Sequence, residues 1–102
     1  MNQDMSTNRL EIELSGVKLD NPVIPASGTF GFGQEMAAIY DINCLGSLSF
    51  KGTTCQPRYG NPLPRIAECG GYGMINAVGL QNPGVDRVIA DELPALRKIF
   101  HK

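Results

Sequence analysis

A segment of 33 residues rich in glycine and proline, 52–84, limits the folds that this chain can adopt. It contains seven glycines and four prolines, and it is far longer than the ~12–15 residues beyond which an irregular connection is usually functional or disordered. Its aromatic and branched residues, among them Tyr59, Ile66 and Tyr72, argue against disorder. Glycine and proline are unfavourable inside helices, and the chain holds 12 and 7 of them, which excludes a helical bundle or coiled coil. We therefore expect an ordered excursion shaped by glycine.

Alternating patterns predict two antiparallel hairpins. Apolar and acidic side chains alternate over residues 10–14, and Ser15-Gly16 leads into a second short run at 17–19. This period of two is typical of half-buried strands. Inside the glycine-rich segment, residues 65–68 and 73–76 are placed to pair around the four residues between them, two of which are glycine.

Two compact apolar runs, 23–26 and 45–50, predict strands buried on both faces, because neither alternates with polar residues. Residues 27–33 contain three glycines and predict a loop, and the apolar spacing of 34–40 predicts a short helix. The order strand, loop, helix, strand predicts a βαβ unit with parallel strands and a right-handed crossover. The residues that follow the two strands should therefore meet at one edge of the sheet.

Residues 85–100 predict an amphipathic helix, since apolar side chains recur at helical intervals opposite charged ones. Pro94 should bend or split this helix, because proline lacks an amide hydrogen and clashes with the preceding turn. The sequence stops directly after it, with no third strand for its apolar face to cover, so we expect a truncated chain. The apolar positions are Val85, Val88, Ile89, Leu93, Leu96, Ile99 and Phe100.

Charge and hydropathy argue against several functional classes. Ten acidic and nine basic residues give a formal net charge of -1, so no excess positive field favours nucleic acid or an anionic membrane. No apolar run reaches the ~20 residues of a membrane helix. The first ten residues lack the apolar stretch of a signal peptide, which predicts a cytoplasmic protein. The odd number of cysteines, Cys44, Cys55 and Cys69, predicts free thiols rather than disulfides or a zinc knuckle.

Lys51 is the first candidate for chemistry. It is the only lysine between Lys18 and Lys98, and it follows a predicted strand, a position where active-site groups are common in α/β folds. Its ammonium group could balance a phosphate, a carboxylate or an anionic flavin ring, or it could face water. Gly52 would let a ligand approach the backbone closely.

Several other polar side chains have two interpretations each. Ser27, which shares the predicted sheet edge with Lys51, could hydrogen-bond a cofactor ring or satisfy loop backbone. Asn76 is embedded among apolar and glycine positions, which suits a planar heterocycle, whereas capping of a turn is the alternative. For Asn82, directly before a proline, the pattern favours backbone capping. His101 is the only histidine and lies at the C-terminus, so a metal site has no support.

Four blocks of sequence each combine several specific residues. They are NPVIPASGTFGFG at 21–33, KGTT at 51–54, GNPLPR at 60–65 and NAVGLQNPG at 76–84. In this order, and over about residues 10–100, they resemble the dihydroorotate dehydrogenase family. The GFG and GLQNPG sequences resemble the catalytic subunit of its NAD-linked, two-subunit class 1 branch (class 1B) rather than the fumarate-linked or membrane-quinone branches.

The resemblance implies a (β/α)8 TIM barrel, which needs ~250 residues. Residues 1–102 would then be the N-terminal fragment of a single flavin-binding barrel domain, preceded by the β-hairpin and truncated after about two of the barrel strands. One departure concerns residues 68–74, which are one residue longer than the spacing typical of this branch. That departure leaves the loop geometry open, although the 76–84 block is intact.

The same resemblance implies FMN-dependent oxidation of (S)-dihydroorotate to orotate in pyrimidine biosynthesis. By position in the matching blocks, Ser27 would contact the flavin, and Lys51 with Gly52 would hold its pyrimidine end. Lys51 would also stabilise the negative charge that develops on the ring. The branch's catalytic base is a cysteine on a later loop, beyond this sequence, so the fragment alone is expected to be inactive. Substrate would contact Lys51, Asn76, Ala77, Val78, Gly79 and Leu80.

The branch also implies a partner subunit that carries FAD and a 2Fe-2S cluster and passes electrons to NAD, and a homodimer within a heterotetramer.

Two alternative functions remain open. One is a related flavin-dependent dihydropyrimidine dehydrogenase, which competition by orotate would distinguish. The other is a non-catalytic truncated fragment that only associates with another chain through exposed strand edges and an uncovered helix face, and it should be colourless when purified alone.

Overall fold

The computed structural model describes residues 8–102. The predicted lack of a signal peptide falls mostly on residues 1–7, which lie outside the described residues. The chain is a small α/β structure with two antiparallel strand pairs and short helices. No helix among residues 8–102 combines the length and the apolar character needed to cross a membrane. The elements are β1 (Ile12–Leu14), β2 (Val17–Leu19), α1 (Ser27–Phe30), α2 (Gln34–Ala37), a 3₁₀ turn (Ile42–Cys44), β3 (Ile66–Cys69), β4 (Gly73–Asn76), α3 (Val85–Arg87), a π-helical turn (Val88–Glu92) and α4 (Leu93–Ile99).

Both predicted hairpins are confirmed. Strands β1 and β2 pair antiparallel, with Ile12 opposite Leu19, and β3 pairs with β4, with Cys69 opposite Gly73. The turn between β3 and β4 needs glycine, because Gly70 and Gly71 have φ values of +55° and +75°, a region that side chains with a Cβ rarely adopt. The segment 68–74, expected from the resemblance to be one residue longer, forms part of this hairpin and its loop.

The two predicted buried strands are wrong for this structure. Residues 23–26 and 45–50 are not paired as strands, and Val23 is 55% exposed. The segments do run side by side, joined by the Gly46 N–H, which donates to the Val23 carbonyl at 3.0 Å. A single hydrogen bond does not make the β-ladder that pairs two strands. A strand buried on both faces needs neighbouring strands and covering layers, and residues 8–102 supply neither for these runs, so the predicted βαβ unit is not formed.

Residues 27–33 contain more helix than predicted, and 34–40 contain less. The first turn of the predicted loop is the helix α1, which ends at Gly31 with φ +60°. Gly33, with φ +86°, precedes α2, which covers only the first four residues of the predicted helix. Two one-turn helices separated by glycines therefore replace a loop and a longer helix.

The C-terminal helix is split next to Pro94, as predicted. A π-helical turn precedes α4, where Pro94 cannot donate a hydrogen bond to the preceding turn. The prediction that Ile89 faces the core is wrong, since it is 62% exposed, whereas Val88 and Leu96 are buried. In an uninterrupted helix Val88 and Leu96 would differ by about 80° around the axis. The π turn inserts roughly one extra residue and brings them closer to one face.

The apolar core lies where α4 packs on residues 30–48. Ile42 is the most buried side chain, at 1% exposure. The end of α4 is held by Asn43, whose Nδ2 donates to the Ile99 carbonyl and whose Oδ1 accepts from the His101 N–H, each at 2.8 Å. The helix is therefore fixed both by apolar packing and by a side-chain cap. The core residues are Phe30, Ile42, Leu45 and Leu96.

Candidate functional site

Lys51 lies on the wall of an open cavity of about 640 Å³, which we call the Lys51 cavity. Its side chain is half-buried, and its backbone N–H donates to the Gly31 carbonyl at 3.0 Å. Phe32 lines the same cavity and stacks on Phe50, with ring centroids 6.0 Å apart. The glycine-rich link between α1 and α2 therefore fixes the backbone of Lys51 and supplies an apolar wall beside it.

Charged side chains of both signs line this cavity, three cations and two carboxylates, and one of the cations, Arg87, is already paired with a carboxylate outside the lining. Within residues 8–102 Lys51 makes no ion pair, whereas Arg87 pairs with Asp91 at 3.1 Å. A half-buried ammonium without a protein carboxylate favours an anionic ligand, because the attraction strengthens as water is excluded. The charged lining residues are Lys51, Arg58, Arg87, Glu35 and Glu92.

The backbone of Gly52, the residue after Lys51, lies close to the Leu80 side chain. A Cβ added to Gly52 would lie 3.2 Å from Leu80 Cδ1, so a larger residue would require the end of the Leu80 side chain to shift by a few tenths of an ångström. Leu80 has φ +54°, a left-handed conformation that is uncommon for a branched side chain and often marks functional sites. The structure therefore places Leu80, one end of the predicted substrate segment 76–80, beside Gly52.

The other end of that segment lies elsewhere. Asn76 ends β4 and is exposed, and it lines a separate shallow cavity of about 210 Å³ together with Ala77 and Pro64. Among the described residues, Lys51 and Asn76 do not share a cavity. The substrate roles of residues 76–80 stay a prediction.

Ser27 is connected to Lys51 through a single residue. The Ser27 carbonyl accepts from the Gly31 N–H at 3.1 Å, and the Gly31 carbonyl accepts from the Lys51 N–H. The two candidates are thus fixed relative to one another by backbone bonds, although not by the parallel strands that the sequence predicted. Contact between Ser27 and a cofactor stays a prediction.

Asn82 caps backbone, the interpretation that its sequence context favoured. It is 5% exposed, and its Oδ1 accepts from the backbone N–H groups of Thr54 and Gly84 at 3.1 and 3.0 Å. Its Nδ2 donates to the Leu80 carbonyl and to Thr54 Oγ1, both at 2.9 Å. All of its polar atoms are used within the chain, so Asn82 ties residues 80–84 to Thr54.

Sequence reasoning missed two residues, Asn61 and Arg65, that hold the 76–80 segment from outside. Asn61 donates two hydrogen bonds there: its N–H donates to the Val78 carbonyl and its Nδ2 to the Ala77 carbonyl, each at 2.9 Å. The Arg65 carbonyl accepts from the Ala77 N–H at 2.7 Å. Gly79 is required here, because a Cβ would lie 2.9 Å from Asn61. The signal that could have found them was their place in the GNPLPR block.

The model of the family described as "Dihydroorotate dehydrogenase" matches residues 9–102. The chain belongs to this family. A Bacillus cytotoxicus protein named "Dihydroorotate dehydrogenase B (NAD(+)), catalytic subunit" is 62% identical over 91 residues, which are 89% of this chain and 29% of that protein. A Streptococcus pneumoniae protein of the same name is 58% identical over 96 residues, which are 94% of this chain and 30% of that protein.

The family match confirms the resemblance seen in the four sequence blocks, and the names of these relatives agree with the NAD-linked branch. The chain spans about 30% of the length of the curated relatives it matches.

Proposed function

We propose that this chain is the N-terminal part of the catalytic subunit of an NAD-linked dihydroorotate dehydrogenase, which oxidises (S)-dihydroorotate to orotate with FMN. The observation that carries the proposal is the 62% identity, across 89% of the chain, to a protein that carries that name. The proposed fold of the whole protein is a (β/α)8 barrel, to which residues 1–102 contribute the N-terminal part of a single flavin-binding domain, including the N-terminal hairpin.

The residues around Lys51 fit a flavin in their chemistry. Lys51 offers a cation without a protein ion pair, Gly52 leaves its backbone open to a flat ring, and Phe32 supplies an apolar wall. Bound FMN would supply the hydride acceptor. Ser27, fixed to Lys51 through Gly31, would donate or accept a hydrogen bond at the ring.

The proposed work of this chain is binding and electrostatic stabilisation. An ammonium 4 Å from a unit negative charge gains about 4 kcal/mol at an effective dielectric constant of 20, and the bond to Gly31 holds the backbone from which the Lys51 side chain extends. Preorganised charge of this kind lowers a barrier because it needs no solvent reorganisation. Residues 76–80 would orient the substrate through amide and backbone groups. Removal of the substrate proton would fall to a cysteine on a loop outside this sequence.

The proposal extends to partners. The names of these relatives contain both "NAD(+)" and "catalytic subunit". This naming supports a second subunit that passes electrons to NAD. We assign FAD and a 2Fe-2S cluster to that subunit. We further propose that two catalytic subunits form a homodimer within a heterotetramer. The proposed location is the cytoplasm.

The proposal is tested with the intact protein that contains this chain. Dihydroorotate is added without oxygen, and bleaching of the flavin absorbance is followed. The expected result is bound FMN that dihydroorotate reduces and that NAD reoxidises only when the partner subunit is present. Reduction by dihydrouracil instead would favour the dihydropyrimidine alternative, direct reoxidation by fumarate would contradict the NAD-linked branch, and a colourless protein would contradict flavin binding.

A further inference from the structure

Gln81 differs from its neighbour Asn82 in one respect that matters for binding. The amide of Asn82 is saturated by Thr54, Leu80 and Gly84. The Gln81 side chain is exposed and makes one hydrogen bond within residues 8–102, from Arg65 Nη1 to Gln81 Oε1 at 2.9 Å. Its amide nitrogen therefore keeps both N–H donors for a partner outside the described chain.

The orientation of the Gln81 amide follows from chemistry. A guanidinium group only donates hydrogen bonds, so the atom facing Arg65 must be the amide oxygen. The –NH2 end must then point away from Arg65. Hydrogen-bonding chemistry alone therefore fixes which end of the Gln81 amide carries the nitrogen.

Arg65 is itself immobilised. Its Nε donates to the Asn61 carbonyl at 2.6 Å and its Nη2 to the Tyr59 carbonyl at 2.8 Å, and the side chain is half-buried. With Gln81 as the third acceptor, the guanidinium bonds in three directions and forms no ion pair within residues 8–102. A planar group held at three points can fix the position of the amide beside it.

Gln81 lines the Lys51 cavity. The lining of that cavity therefore includes an ammonium group and an amide whose N–H donors are not used within residues 8–102, next to the carboxylates of Glu35 and Glu92. A ligand that satisfies both has acceptor oxygens and negative charge, such as a carboxylate next to ring carbonyls.

We infer that Gln81 is a ligand-contact residue of the Lys51 cavity, presenting amide N–H donors to an anionic, carbonyl-rich ligand in an orientation that Arg65 fixes. Gln81 lies outside the predicted substrate segment 76–80, so the inference adds a contact to the site. It rests on the proposed function for the identity of the ligand, orotate.

The test measures orotate binding to the intact, flavin-loaded protein and amide hydrogen exchange over residues 77–82 of the ligand-free protein. Gln81→Glu keeps the acceptor for Arg65 but loses the donors, and Gln81→Met loses both while staying neutral. Gln56→Glu is the matched control, because Gln56 is exposed on the same segment and does not line the Lys51 cavity. We expect the orotate dissociation constant to rise about tenfold or more in both Gln81 variants and to stay within about twofold in the control.

Hydrogen exchange separates a donor from a merely structural role. Exchange should be unchanged in Gln81→Glu and faster in Gln81→Met, because only the first keeps the bond to Arg65. Binding as tight as wild type in Gln81→Glu overturns the inference, and so does weakening in Gln81→Glu with none in Gln81→Met, which would be an effect of added charge. If wild-type protein fails to bind orotate, the proposed function fails and this inference with it. Wild-type binding that neither variant disturbs removes the inference alone.

Discussion

The two halves of this chain are held together by different physics. Residues 27–50 and the C-terminal helix pack around buried apolar side chains, with Ile42 at the centre. In the described segment 52–84 the buried positions are Asn82 and Gly84, and its order comes from hydrogen bonds made by Asn82, Asn61 and Arg65. The second half thus has a polar framework in place of an apolar core.

This difference separates stability from site geometry. Apolar burial contributes most of the free energy of folding and acts without direction, whereas hydrogen bonds from side chains to backbone contribute little net energy but define positions. The half with the apolar core should therefore control unfolding. The glycine-rich half should control where Leu80, Gln81 and Gly52 lie around Lys51.

The largest effect is expected from Ile42→Ala in the intact protein. Removing a fully buried branched side chain should lower the free energy of unfolding by about 2–5 kcal/mol, measured by denaturant titration. Ile39→Ala is the matched control, since Ile39 is 78% exposed, and it should change stability by less than about 0.5 kcal/mol. Equal losses in the two variants would contradict the placement of the core.

Lys51→Ala should act on the reaction and leave stability nearly unchanged. Loss of one preorganised charge typically slows a reaction by about 10²–10³-fold, so flavin reduction by dihydroorotate should slow by that order. Lys98→Ala removes an exposed helix lysine and serves as the control, and Lys51→Arg should restore part of the rate. A decrease of less than about threefold in Lys51→Ala would be too small for the stabilising role assigned to this residue.

Asn82→Ala should loosen the polar framework without unfolding the core. It leaves the Thr54 and Gly84 N–H groups and the Leu80 carbonyl without their partner, at a cost of about 1–3 kcal/mol. Hydrogen exchange should accelerate at Thr54 and Gly84 and stay unchanged around Ile42. Asn82→Asp keeps the acceptor and should protect both amides better than the alanine variant does. Uniform acceleration across both halves would mean that they unfold as one unit.

The hairpins and the break at Pro94 are predicted well from this sequence, whereas the helices of residues 27–40 are predicted only in part and the long-range strand pairing is not predicted. The hairpins and the split at Pro94 depend on alternation, glycine and proline, which act over a few residues. The strands expected at 23–26 and 45–50 depend on neighbours that residues 8–102 do not provide. The predicted burial of Ile89 is wrong because the π turn shifts the helical phase, and a pattern with a fixed period cannot represent such a shift.

For the candidate site, the sequence identified Lys51 and Gly52, whose proximity to Leu80 the structure describes. It also favoured the capping role of Asn82. Arg65 and Gln81 lie in two of the quoted sequence blocks, but their contact could not be predicted, because it joins side chains 16 residues apart and nothing in a sequence gives the direction of an amide. Residues whose role is to hold another residue leave little local signal.

The smallest expected effect is a pH dependence at Asp41, which lies in the half that contains the apolar core. Its carboxylate accepts from Asn43 Nδ2 at 2.9 Å and from the Asn43 N–H at 3.0 Å, and these bonds, the side-chain one first, lower its pKa below the ordinary value of 3.8. Because the folded pKa is the lower one, the stabilisation is present above the unfolded pKa and is lost as the pH falls through the folded pKa.

The measurement is the free energy of unfolding of wild type and Asp41→Asn from about pH 6 down to about pH 2. Asparagine keeps an acceptor for the Asn43 N–H but cannot titrate, so the difference between the two proteins should shrink only below the ordinary pKa of aspartate. Asp86→Asn, in the first turn of α3, controls for the change in net charge. A difference that stayed constant over this range, or that grew as the pH fell, would show that the Asn43 bonds do not favour the charged carboxylate in the folded protein.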